Sequence, residues 1–306
     1  MTEDGKIEQI GSLAATVVWS QNIASQSINF PLQELSDLEI ISMSDRLFSV
    51  ADQVVVVSGG SRGIGKSIAA GFAQRSEHVI VTGRNEEVLQ KTKEEIQVKP
   101  ESVSTAICDV SEADQIRNFV DQVIRDHGRI DTLVNVAGVN RRKPALEITD
   151  DDYDFVMNIN LRGAFQLSRE VGKHMVGRES GSQINITSLN NDRPLRNVSP
   201  YAMSKAAMGQ MTKALALEWG PHGVRVNGLA PGFILTDLTQ KLWSNPTMQQ
   251  WGTSNTPQRR MGVPEDMIGT AIFLASPAAA FMTGQVLYVD GGFTAGWAWP
   301  IDDDNA

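Results

Sequence analysis

Tyr201 stands four residues before Lys205, a spacing that sets both side chains on one face of a helix, and Ser188 closes a β-rich run thirteen residues before the tyrosine. A phenol ordinarily titrates near pH 10. Lowering that value by about 2 to 3 units takes about 3 to 4 kcal/mol of preferential phenolate stabilisation, which a neighbouring ammonium can supply. With a serine hydroxyl to hold the reacting oxygen, such a trio suits a reaction that builds negative charge on oxygen and quenches it with a proton, as hydride addition to a carbonyl does. Each residue alone has a plainer alternative: a strand-end hydroxyl in a local turn for Ser188, a core aromatic for Tyr201.

A second chemical feature lies nearer the start. Ser58-Gly59-Gly60-Ser61-Arg62-Gly63-Ile64-Gly65 follows an apolar run and precedes a helix-length segment. Glycines between a strand and a helix allow a tight turn and close approach of backbone amides to a pyrophosphate, and the helix N-terminus favours negative charge. At the end of the second apolar run, where an acid would accept hydrogen bonds from the ribose of NAD, the chain has Thr82-Gly83-Arg84. Arg84, helped by Arg62, can hold a 2′-phosphate, so NADP(H) is the expected cofactor and NAD(H) the second choice. The alternative is that both arginines are solvated, with Arg84 paired to Glu86 or Glu87.

Those residues need a scaffold, and the chain supplies an alternating one. Runs at 54–57, 79–82, 103–107, 132–136, 184–187, 224–229 and 286–289 read as strands, several apolar throughout, as doubly buried strands are. Segments 64–75, 85–97, 113–127, 151–176 and 202–219 read as helices between them. The pattern predicts α/β architecture: a single doubly wound domain with a seven-stranded parallel sheet covered on both faces.

Composition bounds the rest. The 306 residues are 41% hydrophobic, ample for one large core. A formal charge of −9 argues against a nucleic-acid partner, and no run approaches the length of a membrane span. The single cysteine, Cys108, precludes an internal disulfide and suggests a cytoplasmic setting. His78, His127, His174 and His222 are expected at separate helix or turn positions without ligand spacing, so no metal is invoked. Residues 1–45, acidic and unlike a targeting peptide, are expected to be a poorly ordered extension or an oligomer arm.

Taken together, the motifs resemble those of the short-chain dehydrogenase/reductase family. The spacing Gly59-x-x-x-Gly63-x-Gly65, the segment Asn135-Val136-Ala137-Gly138, Asn160-Leu161-Arg162-Gly163, the Ser188–Tyr201–Lys205 spacing, Pro231-Gly232 and Val289-Asp290-Gly291-Gly292 all match its pattern. Ser58 and Val136 depart from it, standing where the family usually has threonine and asparagine. The resemblance covers about residues 46–293. It implies a Rossmann catalytic domain in which Gly59, Ser61, Arg62, Gly63, Ile64 and Gly65 cradle the cofactor. Asn135, Ala137, Gly138, Pro231 and Gly232 would flank it, and Thr236 would contact the nicotinamide amide. Asp109 would accept a bond from the adenine amino group, though an aspartate there can equally cap the helix starting near Ser111. Lys205, with Tyr201, would also touch the cofactor, reaching its ribose hydroxyls, and Asn160 would hold a water linking the lysine to solvent.

Within that family, Leu47-Phe48 and Gly138-Val139-Asn140-Arg141-Arg142 look most like gluconate, deoxygluconate and related sugar-acid or polyol dehydrogenases. Arg141, Arg142 and Arg193 are the candidates to meet a substrate carboxylate; the alternative is a solvated basic turn continued by Lys143. A broad carbonyl or β-ketoacyl-type ketone reductase is the runner-up, and an inactive nucleotide-binding regulatory protein the remote third reading. Segment 237–263 is the expected lid, where Trp243 and Trp251 either stack on a sugar ring or pack the lid itself. The resemblance implies a homotetramer through the helices at 151–176 and 202–219, and the apolar tail within 294–306 is expected at a subunit interface or over a neighbour's active site.

Overall fold

The computed structural model describes residues 46–99 and 101–296. The expectations for residues 1–45 and for the apolar tail from position 297 lie outside the described residues. Seven strands form one parallel sheet in the order β3-β2-β1-β4-β5-β6-β7: β1 (Val54–Ser58), β2 (His78–Gly83), β3 (Val103–Ile107), β4 (Thr132–Asn135), β5 (Gly181–Ile186), β6 (Val224–Pro231) and β7 (Val286–Val289). Chain order reverses between β1 and β4, whose register pairs Ser58 with Asn135. At that reversal the loops after the two strands diverge to opposite faces and leave a crevice at their carboxyl ends.

Strand β1, Val-Val-Val-Val-Ser, is buried throughout because both faces are covered. Val55 and Val57 join Ile68 and Phe72 of α1 (Gly63–Ala73), Leu89 of α2 (Glu86–Ile96) and Leu274. Val54 and Val56 face the other way, onto Ile116 and Phe119 of α3 (Ala113–His127) and onto Leu167 and Val171. The two cores are thus the two faces of a period-two strand. Helix ends follow local chemistry: Asn85 Oδ1 accepts from the Val88 N–H at the start of α2, and Gly128, at φ 73°, ends α3 in the left-handed region.

The structure departs locally from the sequence expectation at four places. The single helix expected over 151–176 is α4 (Asp150–Met157), a π-helical turn at Asn158–Gly163, and α5 (Ala164–Gly177). The chain at Val110 comes close to this turn: a Cβ on Gly163 would lie 2.4 Å from the Val110 carbonyl oxygen, so the position requires glycine. Helix α6 (Ser199–Trp219) begins three residues before the expected start, with Pro200 in its first turn, so Tyr201 is helical. Strand β5 begins at Gly181 rather than 184, because Ser182 and Gln183 are buried polar residues bonded to the Leu274 and Ser168 carbonyls at 3.0 Å each. His78 is also not in a helix or turn: it opens β2, with its ring 4.3 Å from that of His127.

Three further helices lie beyond β6: α7 (Gln240–Trp243), α8 (Pro246–Asn255) and α9 (Ile268–Ala275). The last packs on β5 and β6, while α7 and α8 fall within the expected lid. Among the described residues no helix is long and apolar enough to cross a membrane.

Candidate active site

A cleft of about 720 Å³ opens at the carboxyl ends of the strands, around the β1–β4 reversal. Its outer end is the Gly59–Gly65 turn. Gly59 has φ 71°, and a Cβ there would meet Ala137 Cα and N at 2.7 Å, so the first turn can seat against the β4 loop only as glycine. Helix α1 starts at Gly63 without a side-chain cap and without an acid in its first turn, so its free N–H groups face the cleft as a positive end. Arg62 and Arg84 line the same end. Arg84 Nη1 approaches Asp109 Oδ2 at 3.8 Å, the pair being partly exposed, rather than Glu86 or Glu87. An unsatisfied helix N-terminus beside two arginines, in a cavity of this size, fits a phosphate-bearing dinucleotide.

Asp109 does not cap α3. It closes a tight turn by accepting from Ser111 N–H and Oγ–H at 2.9 and 2.7 Å, while Glu112 takes the N-cap position. Ser61, Gly63, Ile64, Gly65, Ala137, Gly138, Pro231, Gly232 and Thr236 all line the cleft as expected. Asn135 does not. Its amide is turned into the sheet core, donating to Ser168 Oγ and Asn185 Oδ1 at 2.9 Å each, because those two polar side chains on α5 and β5 would otherwise lack a donor. Cys108 also lines the cleft, and burial beside Asp109 pushes its thiol up to about 11, leaving it unreactive at neutral pH.

The inner end gathers Ser188, Tyr201 and Lys205, with Asn160 beneath them. The π-helical turn carries fully buried Asn160, whose Oδ1 accepts from the Val139 N–H at 2.7 Å and whose Nδ2 donates to the Val139 carbonyl at 2.9 Å. The same Nδ2 donates to Ser204 Oγ at 3.0 Å, and that hydroxyl donates to the Tyr201 carbonyl at 2.7 Å. Ser204, which sequence reasoning missed, therefore ties Asn160 to the backbone of the tyrosine. Its signal was a hydroxyl one turn after Tyr201 and adjacent to Lys205. Lys205 Nζ donates to the Ile186 carbonyl at 2.6 Å and lies 5.8 Å from the centre of the Tyr201 ring.

Electrostatics at this end differ from the sequence expectation that Lys205 depresses the phenol. Burial raises the Tyr201 phenol above its ordinary value, opposed by the Ser188 hydroxyl and the charge of Arg142. Burial likewise pulls the Lys205 ammonium down to about 8. The ammonium is engaged with a backbone carbonyl rather than with the phenol, and desolvation outweighs the charge-stabilising contacts.

The three candidate carboxylate-binding arginines separate. Arg141 lies 4.2 Å over the Phe155 ring and 3.7 Å from Asp152, and Arg193 pairs with Asp192 at 3.6 Å. Neither reaches the cleft lining, nor does Arg142. Among the described residues no carboxylate pairs with Arg142, whose positive charge favours the Tyr201 phenolate. Within the expected lid segment, Trp243 is buried against Phe233 with ring centroids 5.1 Å apart, and Trp251, partly exposed, stands 5.6 Å from the same ring and 6.2 Å from Phe293. Both tryptophans are engaged with aromatic rings of the protein. Among the described residues no cluster of three His, Cys, Asp or Glu side chains gathers to hold a metal.

The fold and this cleft define an enzyme of the doubly wound, dinucleotide-binding class. A family model described as enoyl-(acyl carrier protein) reductase matches residues 59–294. A gluconate 5-dehydrogenase from Gluconobacter oxydans is 38% identical over 81% of this chain and 97% of its own. A 2-dehydro-3-deoxy-D-gluconate 5-dehydrogenase from Pseudoalteromonas atlantica is 42% identical over 80% and 97%. The crystal structure of a gluconate 5-dehydrogenase from Burkholderia cenocepacia, in complex with NADP and tartrate, superposes with a TM-score of 0.78 at 34% identity, covering 83% of this chain and 99% of that one. The chain belongs to the short-chain dehydrogenase/reductase family. It is an oxidoreductase acting on CH–OH groups.

Proposed function

We propose that this chain is an NADP(H)-dependent dehydrogenase of sugar acids, interconverting a secondary alcohol and a ketone. The reading rests above all on one cleft whose outer end carries Arg62 and Arg84 and whose inner end joins Ser188, Tyr201 and Lys205. Similarity to gluconate 5-dehydrogenases, one of them complexed with NADP and the dicarboxylate tartrate, supports both the cofactor and the substrate class. When bound, the nicotinamide would supply or accept the hydride. Arg62, Arg84 and the N-terminus of α1 would hold the cofactor's phosphates, with Asp109 beside them in the cleft lining. In the oxidative direction Tyr201 Oη takes the alcohol proton while Ser188 Oγ–H holds the reacting oxygen; in reduction the same phenol returns the proton. Lys205 is held one helical turn from Tyr201 with its ammonium on the Ile186 carbonyl, and Asn160 fixes the β4 loop against which the lysine lies. Arg142, without a carboxylate partner among the described residues, is the cation for the substrate's own carboxylate.

Steady-state nicotinamide absorbance tests the reading, using NADP+ and NAD+ with D-gluconate, neutral polyols and simple alcohols, and NADPH with 5-keto-D-gluconate and hydrophobic ketones. Turnover of the sugar acids is expected, with KM for D-gluconate rising about tenfold in Arg142→Ala, the worth of one charged hydrogen bond. Turnover confined to hydrophobic ketones would discard the sugar acid and keep the mechanism. A cytoplasmic homotetramer completes the proposal, supported by the exposure of Tyr153, Phe165 and Met203 on α4, α5 and α6; a monomeric mass by light scattering would overturn the tetramer.

A further inference from the structure

Ser188 Oγ carries one proton and two lone pairs. The backbone N–H of Asn190 donates to it at 3.1 Å and the side-chain Nδ2 of Asn190 at 3.2 Å. With both lone pairs facing donors, the serine proton is turned away from Asn190, to the cleft side where the phenol of Tyr201 lies. The direction of the amide is settled by a third bond: Oδ1 of Asn190 accepts from the Leu195 N–H at 2.9 Å, so the NH₂ end must face the serine. Asn190 is buried, sits in the turn Leu189–Asn191 that follows β5, and does not itself line the cleft.

We infer that Asn190 is a positioning residue: by occupying the acceptor side of Ser188 Oγ it commits the serine proton to the reacting oxygen, and through Leu195 it couples that commitment to the loop over residues 189–195. A serine facing an acceptor instead would point its proton into the protein and offer a lone pair to the substrate carbonyl, repelling the charge that must develop there. The amide is therefore needed for its donor, not for its volume. The inference rests on the role proposed for Ser188, and it concerns a residue whose effect passes entirely through that hydroxyl.

The test is a double-mutant cycle in the full chain, assayed by reduction of 5-keto-D-gluconate with NADPH, or of the fastest ketone of the panel above. Asn190→Asp keeps the shape and the acceptor for Leu195 but takes the serine proton for itself; Asn190→Ala keeps the backbone donor and loses the amide. In the wild-type background Asn190→Asp is expected to lower kcat about 10- to 100-fold, below the 10²- to 10³-fold cost of removing an oxyanion donor outright. Asn190→Ala should cost less than Asn190→Asp, with KM and NADPH affinity within about threefold for both. In a Ser188→Ala background each substitution should cost less than about twofold, because the two residues act as one unit. Equal losses in both backgrounds, or no loss in either variant, would overturn the inference while leaving the proposed role of Ser188 intact. Full activity of Ser188→Ala would instead remove the role on which the inference stands. Should Asn190→Asp fail to fold, the Asn190→Ala cycle decides by the same criterion.

Discussion

At the inner end of the cleft, Lys205 is buried with its ammonium on the Ile186 carbonyl, and Asn160 makes three bonds to Val139 and Ser204. At the outer end, Arg62 is exposed and Arg84 has a carboxylate at 3.8 Å, with more than half of its side chain in solvent. One end is ordered by the protein before a ligand arrives; the other presents charge whose ordering costs about 0.5 to 1.5 kcal/mol per side chain on binding. The two ends thus divide the labour. Under the proposed function, geometry needed in the transition state is enforced by buried bonds, whereas nucleotide choice falls to exposed charge that can adapt.

That contrast predicts separable mutational signatures. The largest belongs to Tyr201→Phe, which should lower kcat by about 10³-fold, within the range for loss of a general acid, and leave the NADPH dissociation constant within twofold. Retention of kcat within tenfold would assign the proton transfer to a group other than Tyr201. Lys205→Met should cost about 10²-fold in turnover, yet stabilise the ligand-free protein. Because burial lowers the ammonium from 10.5 to about 8, the unfolded chain binds more protons than the folded one between those values, so stability rises with pH across that window. The methionine variant should therefore be more stable by about 1 to 3 kcal/mol at pH 7, after allowing for the lost Ile186 bond, with its advantage shrinking toward pH 10.5. Denaturant unfolding of both proteins at the two pH values checks the sign.

At the outer end, Arg84→Ala should weaken NADPH binding about tenfold and NADH binding less than twofold, with kcat little changed; equal weakening of both would assign the arginine to the general phosphate field rather than to a 2′-phosphate. The smallest effect is expected for Trp251→Ala. Its ring rests on Phe233 and Phe293, so KM for D-gluconate should move less than about threefold, the worth of a weak aromatic contact. A tenfold rise would extend the adaptable region of the cleft from the phosphate end into the lid.

Much of this arrangement was legible in the residues. Strands β3 and β7 and helix α3 fall where the residues set them, because a short run of strand-forming residues bounded by turns and an amphipathic helix each leave a local pattern. The glycine turn was readable for a similar reason: positive φ and close backbone approach restrict the residue type in place. Asn135 was not readable, since its orientation depends on Ser168 and Asn185, which lie 33 and 50 residues away. The π-helical turn at Asn158–Gly163 was equally hidden, as the contact that accompanies it comes from Val110.

The arginines mark the boundary most clearly. Arg141, Arg142 and Arg193 are alike in type and all follow a strand of the sheet, yet Phe155 and Asp152 draw the first away and Asp192 pairs the third. By itself the sequence determined the strand–helix alternation, the glycine turn, the residue types for proton transfer and the missing acid after β2, because each is dictated by neighbours within a few positions. Only the tertiary structure decided which of the three arginines is left without a carboxylate among the described residues, where Asn135 points, how the tryptophans pack, which donors face Ser188 and which carbonyl takes the Lys205 ammonium. Those outcomes depend on distances between elements far apart in the chain, and on burial, which moves the Tyr201 phenol and the Lys205 ammonium in directions that spacing along a helix does not reveal.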